Sequence, residues 1–427
     1  AMYLPLDSAV RWVSDAGYLP SFVASVWDEC LMLAAFAYIL WHMAMKRAPL
    51  GSRATPVDAY LLLFIAVGFF LMCAVSPNTH DRSVRSGPRP VSPGLAGDWL
   101  GQLPGFPWGF SFPSSPRPDL RTTAIFAVFY GALVVMALCI AAHGIYQYIV
   151  AAPIPSSWVS QTEASVRTRV YSLTGSPNIM GSLLVLFAPM VAGLAYYSSK
   201  MWVKVLAICA TGMMCLSCIF TFSKGAWGGL AVAVVIFAIF LDRRLIALMG
   251  VAGVSALLAI PSIANRITYL FTADYLAASR RAGRVIRWSK GLKLLQESNP
   301  VLGFGLGRFG GAVAMQNKVI EETKDFSYFY MDNYYLKTLV EMGYLGLAFF
   351  ILLLFGLVLW SLRSIGRTGY TKGDRTRVLA VSMFAGMCGV LVHCYFENIF
   401  EVPYMMAYFW SMAAAVMYLG YFRKRKN

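Results

Sequence analysis

Charge is what this chain has least of. Only 13% of its 427 residues are Asp, Glu, Lys or Arg, while 58% are apolar; a soluble globular domain carries roughly 25% charged residues. So few charged side chains cannot clothe that much apolar surface in water, which excludes a soluble globular protein and leaves a polytopic membrane protein. Acids are scarcer than bases, 20 against 36, for a formal charge of +16. The basic excess is dispersed over loops between apolar runs and forms no single polar domain, so nucleic acid is not an expected partner.

Other absences narrow the chemistry. The eight cysteines (Cys30, Cys73, Cys139, Cys209, Cys215, Cys218, Cys388 and Cys394) lie mostly inside apolar runs. Cys215 and Cys218 alone have CxxC spacing, but they stand mid-run without acidic or histidine partners. They read as packing residues, and neither a disulfide framework, a metal site nor a cofactor is expected. Around Ser223 and Lys224 there is no GxxxxGK[ST], and GFGLG at 303–307 lacks the strand-turn-helix context of a dinucleotide fingerprint, so ATPase and nicotinamide chemistry are set aside. The first ten residues, AMYLPLDSAV, lack the basic start and cleavage motif of a signal peptide.

What the chain has is apolar runs of membrane-spanning length. Val26–Met45, Ala59–Val75, Thr122–Ile149, 179–197, 202–222, 226–241, 245–260, Leu336–Trp360, Val378–Cys394 and Pro403–Tyr421 predict about ten spans, with nine to twelve allowed by the amino end. Residues 1–27 are mixed and read as interfacial, with Trp12, Tyr18 and Trp27 at headgroup depth. Asp28 and Glu29 read as acids at a membrane entrance. Residues 76–121 are rich in Pro, Gly and Ser and predict an irregular loop or, around Trp99–Phe110, a re-entrant segment. The rest reads as one integral membrane domain, 1–427, interrupted by a large polar segment at 261–333.

Topology follows from the basic tail FRKRKN, which reads as cytosolic. Counting back through the spans places the Arg363–Arg377 connection and Asp242–Arg244 inside, and residues 151–178, Ser223–Lys224 and 261–332 outside. Three polar segments then share one face. The same count puts Lys46 and Arg47 outside, against the basic-inside tendency, so either one span is hidden or residues 99–115 are re-entrant.

Each segment on that face carries cations. Arg167 and Arg169 precede a Gly-Ser-Pro-Asn turn in which Pro177 suits a first helical turn, and Ser176 or Asn178 suits a cap. An arginine there makes a bidentate phosphate contact, or the segment is simply a basic interfacial loop. Lys224 either snorkels or faces a wet cavity. The segment 261–333 holds ten Lys or Arg and six Asp or Glu; Arg280, Arg284 and Arg287 recur at helical spacing, with Arg281 beside them. That pattern predicts either a basic surface helix or a cradle for a pyrophosphate. Gly303, Gly305, Gly307 and Gly310 permit tight turns beside Arg308. Asp332 and Asn333 stand where a helix enters the membrane, which suits a proton-accepting carboxylate or a helix cap. His143, beside Tyr146 and Tyr148, reads as an aromatic boundary residue.

Four segments carry a family resemblance: TGSPNIMG (174–181), TFSKGAWGGLAVAVVIFAIF (221–240), RxxRWxxGLKLLxxxNPVLGFGLGRF (284–309) and DNYYLKTLVEMGYLGLAFF (332–350). Over Thr122–Met417 the chain resembles the bacterial O-antigen ligase and Wzy-type polysaccharide polymerase superfamily. The resemblance implies an all-α, GT-C-like polytopic fold in the bacterial inner membrane. It also implies metal-independent, inverting glycosyl transfer at the periplasmic or outer face, from an undecaprenyl-pyrophosphate-linked glycan. Membrane lipids, a chain-length regulator and export proteins are the partners it suggests.

On this pattern Arg169, Lys224, Arg284 and Asp332 are the expected catalytic residues. Arg167, Arg280, Arg287, Arg308, Asn333, Tyr334 and Asn178 are the expected substrate contacts. The family often has Ser-Arg where this chain has Ser223-Lys224, and ligases commonly have His-Asn where it has Asp332-Asn333. The second difference favours a polymerase joining lipid-linked repeats over a ligase acting on lipid A-core or protein. A flippase or transporter is the competing class.

Overall fold

The computed structural model describes residues 3–20, 23, 27, 30, 56–75, 120–155, 168–259, 261–269, 271–273, 284–317, 329–369 and 375–422. The expectations for Val26–Met45, for most of the loop at 76–121, and for Arg167 and Arg280 lie outside the described residues. Those residues form helices and connections, with no strand among them. In chain order the helices are α1 (Tyr3–Asp15), α2 (Pro56–Val75), α3 (Leu120–Ile149), α4 (Pro177–Tyr197), α5 (Met201–Phe220), α6 (Lys224–Phe240), α7 (Arg244–Ala259) and α8 (Pro261–Tyr269). They continue with α9 (Arg284–Glu297), α10 (Ala312–Asn317), α11 (Tyr334–Gly366), α12 (Thr376–His393) and α13 (Pro403–Met417).

Five segments among the described residues are long and apolar enough to cross a membrane: Phe126–Ile149, Pro177–Tyr197, Met201–Phe220, Tyr334–Gly366 and Thr376–His393. With the shorter apolar helices Lys224–Phe240 and Arg244–Ser255, they define an all-α multi-pass membrane protein. Its inside and outside follow membrane logic. On α5, Met201, Trp202, Val205, Leu206 and Ile208 are exposed, as are Leu248, Val251, Val254 and Leu258 on α7; apolar side chains on an outer face are what lipid requires.

The bundle is centred on α4 and α12, both buried along most of their length, with α6 packed against them. Small residues allow the close approach. A Cβ on Gly386 would stand 2.2 Å from the Leu186 carbonyl oxygen, and one on Gly229 would stand 2.6 Å from that of Gly389. Lipid tails are as apolar as the side chains, so such packing, together with buried hydrogen bonds, holds the helices together. Ser182 Oγ and His393 Nδ1, 2.5 Å apart, join α4 to α12, and the Tyr130 hydroxyl on α3 donates to the Met190 carbonyl at 2.6 Å.

The expected interfacial character of residues 1–27 becomes specific in α1. Trp12 and Tyr18 are exposed, but the Leu4 amide donates to the Tyr408 hydroxyl at 3.0 Å, and Asp7 accepts from both Arg11 and Trp27. The helix is therefore tied to α13.

The single span expected at Leu336–Trp360 is broken. Inside α11, Gly343 takes φ 66° and ψ −172°, a conformation that side chains other than hydrogen resist. The break frees backbone groups, and residues 299–305 occupy it. Phe304 and Gly305 amides donate to the Val340 and Glu341 carbonyls at 2.8 and 3.0 Å, while the Tyr344 and Leu345 amides donate to the Pro300 and Val301 carbonyls at 2.9 and 3.2 Å. The predicted glycine turns are real: Gly303, Gly305, Gly307 and Gly310 all have positive φ. Gly303 serves this seam directly, since a Cβ there would stand 2.4 Å from the Glu341 carbonyl oxygen, whereas Gly310 turns against Met331.

Candidate active site

The polar centre is assembled from four places in the chain: the turn before α4, the start of α9, the residues preceding α11, and the connection between α12 and α13. Asp332 is the hub. Arg284 Nε donates to Asp332 Oδ2 at 2.6 Å and Arg287 Nη2 donates to the same oxygen at 3.2 Å. The two arginines stand three residues apart at the start of α9, so one face presents both. The predicted surface helix is thus divided: Arg284 and Arg287 turn inward, while Lys293 pairs with Glu297 at 3.4 Å on the exposed side.

Both guanidinium groups are fixed by backbone as well. Arg284 Nη2 donates to the Phe396 carbonyl at 3.2 Å, and Arg287 Nη1 to the Tyr330 carbonyl at 3.3 Å. Asp332 is only 6% exposed, and its Oδ1 has no hydrogen-bond partner among the described residues; neither has Arg287 Nε. A buried carboxylate oxygen left open is costly unless it serves a ligand or a proton.

Capping does not explain Asp332. The cap of α11 is Asn333, whose Oδ1 accepts from the Leu336 amide at 3.0 Å, so Asn333 is occupied structurally. Tyr334 packs edge-on against Phe350 and Phe400 and belongs to the aromatic core.

On the other side of the centre, Arg169 Nε donates to the Thr221 carbonyl at 3.0 Å and Nη2 to Asn178 Oδ1 at 3.2 Å. The expected capping role of Asn178 or Ser176 is not found: Ser176 caps α4 without a side-chain hydrogen bond, and Asn178 Nδ2 donates onward to Glu397 Oε2. Glu397 Oε1 accepts from the Asn398 amide at 3.1 Å. Burial, foremost, raises the affinity of the Glu397 carboxyl for its proton above the ordinary carboxylate range; the Asp332 charge adds to this, and hydrogen bonds from Asn398 and Asn178 and the Arg284 charge oppose it. The Tyr330 hydroxyl, held protonated by burial and by Glu397 and Glu401, completes this wall.

Lys224 opens α6, where Ser223 is the cap and accepts from the Ala226 amide at 3.4 Å. Its ammonium lies 5.8 Å from the centre of the Tyr269 ring. The next residue, Gly225, abuts the centre: a Cβ there would be 2.6 Å from the His393 ring and 2.8 Å from Phe396 Cβ. Arg308 folds over the Gly305 turn, where a Cβ would meet its Cδ at 2.7 Å. His143 Nδ1 lies 3.0 Å from Ser172 Oγ, with the ring stacked on Tyr146. Among the described residues, no three His, Cys, Asp or Glu side chains come together as a metal-binding group.

Sequence reasoning missed three acids, Glu341 and Glu397, which are buried, and Glu401, which is partly so. Lys337 Nζ and Glu341 Oε2 pair at 3.0 Å with side chains 5% and 3% exposed, and Glu341 Oε1 accepts from the Phe309 amide at 3.2 Å. Glu401 Oε1 accepts from the Ala312 amide at 2.6 Å. A signal for Glu397 and Glu401 existed: they are the two acids of the short connection between the last two apolar runs, on the side counted as outer.

Fold and site together define a multi-pass helical membrane protein with a buried, arginine-rich polar centre gathered around a carboxylate. Residues 209–351 match a family model described as O-Antigen ligase, which supports the resemblance to the O-antigen ligase and Wzy-type superfamily. The match takes in α6, α9, the seam at Gly343 and Asp332. No curated protein matches the chain significantly.

Proposed function

We propose that the protein is an inner-membrane glycosyltransferase that polymerises undecaprenyl-pyrophosphate-linked oligosaccharide repeats at the periplasmic or outer face. The observation that carries this reading is the convergence of Arg284 and Arg287 on one oxygen of Asp332, with Oδ1 left open and Arg169 across the centre. In the proposed reaction the acceptor sugar hydroxyl attacks the anomeric carbon from the side opposite the pyrophosphate. Its oxygen forms the new glycosidic bond and its proton passes to Asp332 Oδ1. The bond from the anomeric carbon to the phosphate oxygen breaks, and its electron pair leaves with undecaprenyl pyrophosphate. Arg169, Arg284, Arg287 and Lys224, with Arg167, Arg280 and Arg308, supply positive charge where that negative charge develops. Pyrophosphate is a good leaving group, so Asp332 need only receive the proton as the glycosidic bond forms.

The ligase reading has its own support, since the matching family model is described as O-Antigen ligase. In that reading the same centre transfers the glycan to lipid A-core. The deciding experiment supplies the purified full-length protein with a defined lipid-linked repeat alone, and separately with lipid A-core. Ladders from repeats alone are expected; product only in the presence of lipid A-core would establish the ligase instead, and intact movement across vesicles without a new glycosidic bond would establish a transporter.

A further inference from the structure

The mechanism above leaves Glu397 unused, yet it is a buried acid that accepts hydrogen bonds from Asn178 and from the Asn398 amide. Its side chain lies in the connection between α12 and α13, receives Asn178 Nδ2 from the first turn of α4, and through Asn178 Oδ1 is one step from Arg169 Nη2. On its other flank, Arg284 Nη2 binds the carbonyl of the preceding residue, Phe396, at 3.2 Å. One acid thus stands between the two arginine groups assigned to the donor. The charged and titratable groups facing it are Asp332 and Tyr330 from the segment before α11, Arg284 from α9, Arg169 (through Asn178) from the turn before α4, Cys394 at the end of α12, and, across Tyr330, Glu401 from its own connection.

Resting on the donor reading above, we infer that Glu397 is a positioning residue: through Asn178 it orients Arg169 for one phosphate of the donor, and donor binding requires it to be the neutral acid. The electrostatics give the reason. An ionised Glu397 beside Asp332 places two negative charges in a buried site that must also receive a pyrophosphate, and it competes with that pyrophosphate for the arginines. As a neutral acid it still accepts from Asn178 and Asn398, so the orientation of Arg169 persists while the repulsion disappears. Burial already favours this form. Binding is then linked to proton occupancy: above the pH at which Glu397 ionises, each donor bound takes up one proton, and affinity falls with rising pH.

The test uses full-length protein in nanodiscs and undecaprenyl pyrophosphate itself as the probe, with Kd measured from pH 5 to 9 for wild type and Glu397→Gln. The probe's own ionisation is common to both proteins. Wild type and variant should bind alike at the acid end and diverge as pH rises, wild type becoming weaker by roughly tenfold for each unit by which binding shifts the Glu397 ionisation. Glu397→Met, neutral and of similar size, is a second variant should the first not fold; it should also lose the alkaline weakening, with weaker binding throughout because Asn178 loses its acceptor. Parallel pH curves for wild type and a folded neutral variant would overturn the inference. Failure of wild type to bind the probe at any pH, or undiminished binding by Arg284→Ala and Arg169→Ala, would instead overturn the donor reading.

Discussion

Arg284 Nε lies 2.6 Å from Asp332 Oδ2, and Arg287 Nη2 lies 3.2 Å from the same atom. One carboxylate oxygen therefore absorbs both guanidinium contacts, and the other is buried without a partner among the described residues. This asymmetry divides the labour of a single side chain: one oxygen organises the arginines, the other is available to a proton.

Asp332→Asn preserves shape and one acceptor for Arg284 but cannot take a proton. Transfer should fall roughly 10²–10⁴-fold, while binding of undecaprenyl pyrophosphate stays within a few-fold of wild type. Loss of both together in a correctly folded variant would assign Asp332 to arginine positioning alone. A product assay and a binding assay on the same preparation make the distinction.

Arg284→Lys tests geometry against charge. The arginine donates in two directions, to Asp332 and to the Phe396 carbonyl, and an ammonium cannot span both in the plane of a guanidinium. Turnover should drop roughly a hundredfold. Retention of wild-type kcat would show that positive charge is sufficient there.

The pair Lys337 and Glu341 is buried, with its charges 3.0 Å apart. Lys337→Met alone strands a carboxylate and should cost about 3–5 kcal/mol, whereas Lys337→Met with Glu341→Met should recover most of that loss. Thermal unfolding in detergent, compared across the two single variants and the double, measures the recovery. Recovery should be incomplete, because Glu341 also accepts from the Phe309 amide.

The raised proton affinity of Glu397 has a signed consequence for stability. Below about pH 4.3, the ordinary glutamate value, the acid is neutral in both folded and unfolded chains and adds no pH dependence. As pH rises, the unfolded chain ionises first, so the folded state loses relative stability until pH passes the folded value. Glu397→Gln should therefore gain melting temperature over wild type progressively from mildly acidic to neutral pH. An offset independent of pH would show that Glu397 ionises in the folded protein as it does in water.

At the seam, Gly343→Ala forces a side chain into φ 66°, with its Cβ 2.2 Å from the Val301 carbonyl oxygen. The strain alone is worth about 1–3 kcal/mol, and the clash must displace residues 299–305. Limited proteolysis should cut the 299–317 region faster in this variant. Gly250→Ala on α7, where a Cβ meets nothing within 4 Å, is the control.

Much of this was legible because membrane and charge are one-dimensional signals. Apolar length fixed most of the helices, and the basic tail placed Arg169, Arg284 and Asp332 on one face before any contact was known. Spacing put Arg284 and Arg287 on one side of a helix, although it did not say that this side faced inward. Buried partnership was illegible. Lys337 and Glu341 have the spacing of an ordinary helical ion pair, which does not show that they are buried; Asn178 reads as a cap, because its link to Glu397 joins residues far apart in sequence. The break at Gly343 was hidden for a related reason: the glycine sits within an apolar run, and only the segment around Gly303, about forty residues upstream, gives the break its partner.

That seam is stitched almost wholly from main-chain amides and carbonyls. It places modest demands on side chains beyond the two glycines and Asn299, whose Oδ1 accepts from the Val301 and Leu302 amides. Main-chain bonding of this kind fixes the path of residues 300–305 against α11 largely whatever side chains they carry. A side chain as exposed as that of Val301 can therefore change without loosening the attachment of the polar segment to the membrane helix.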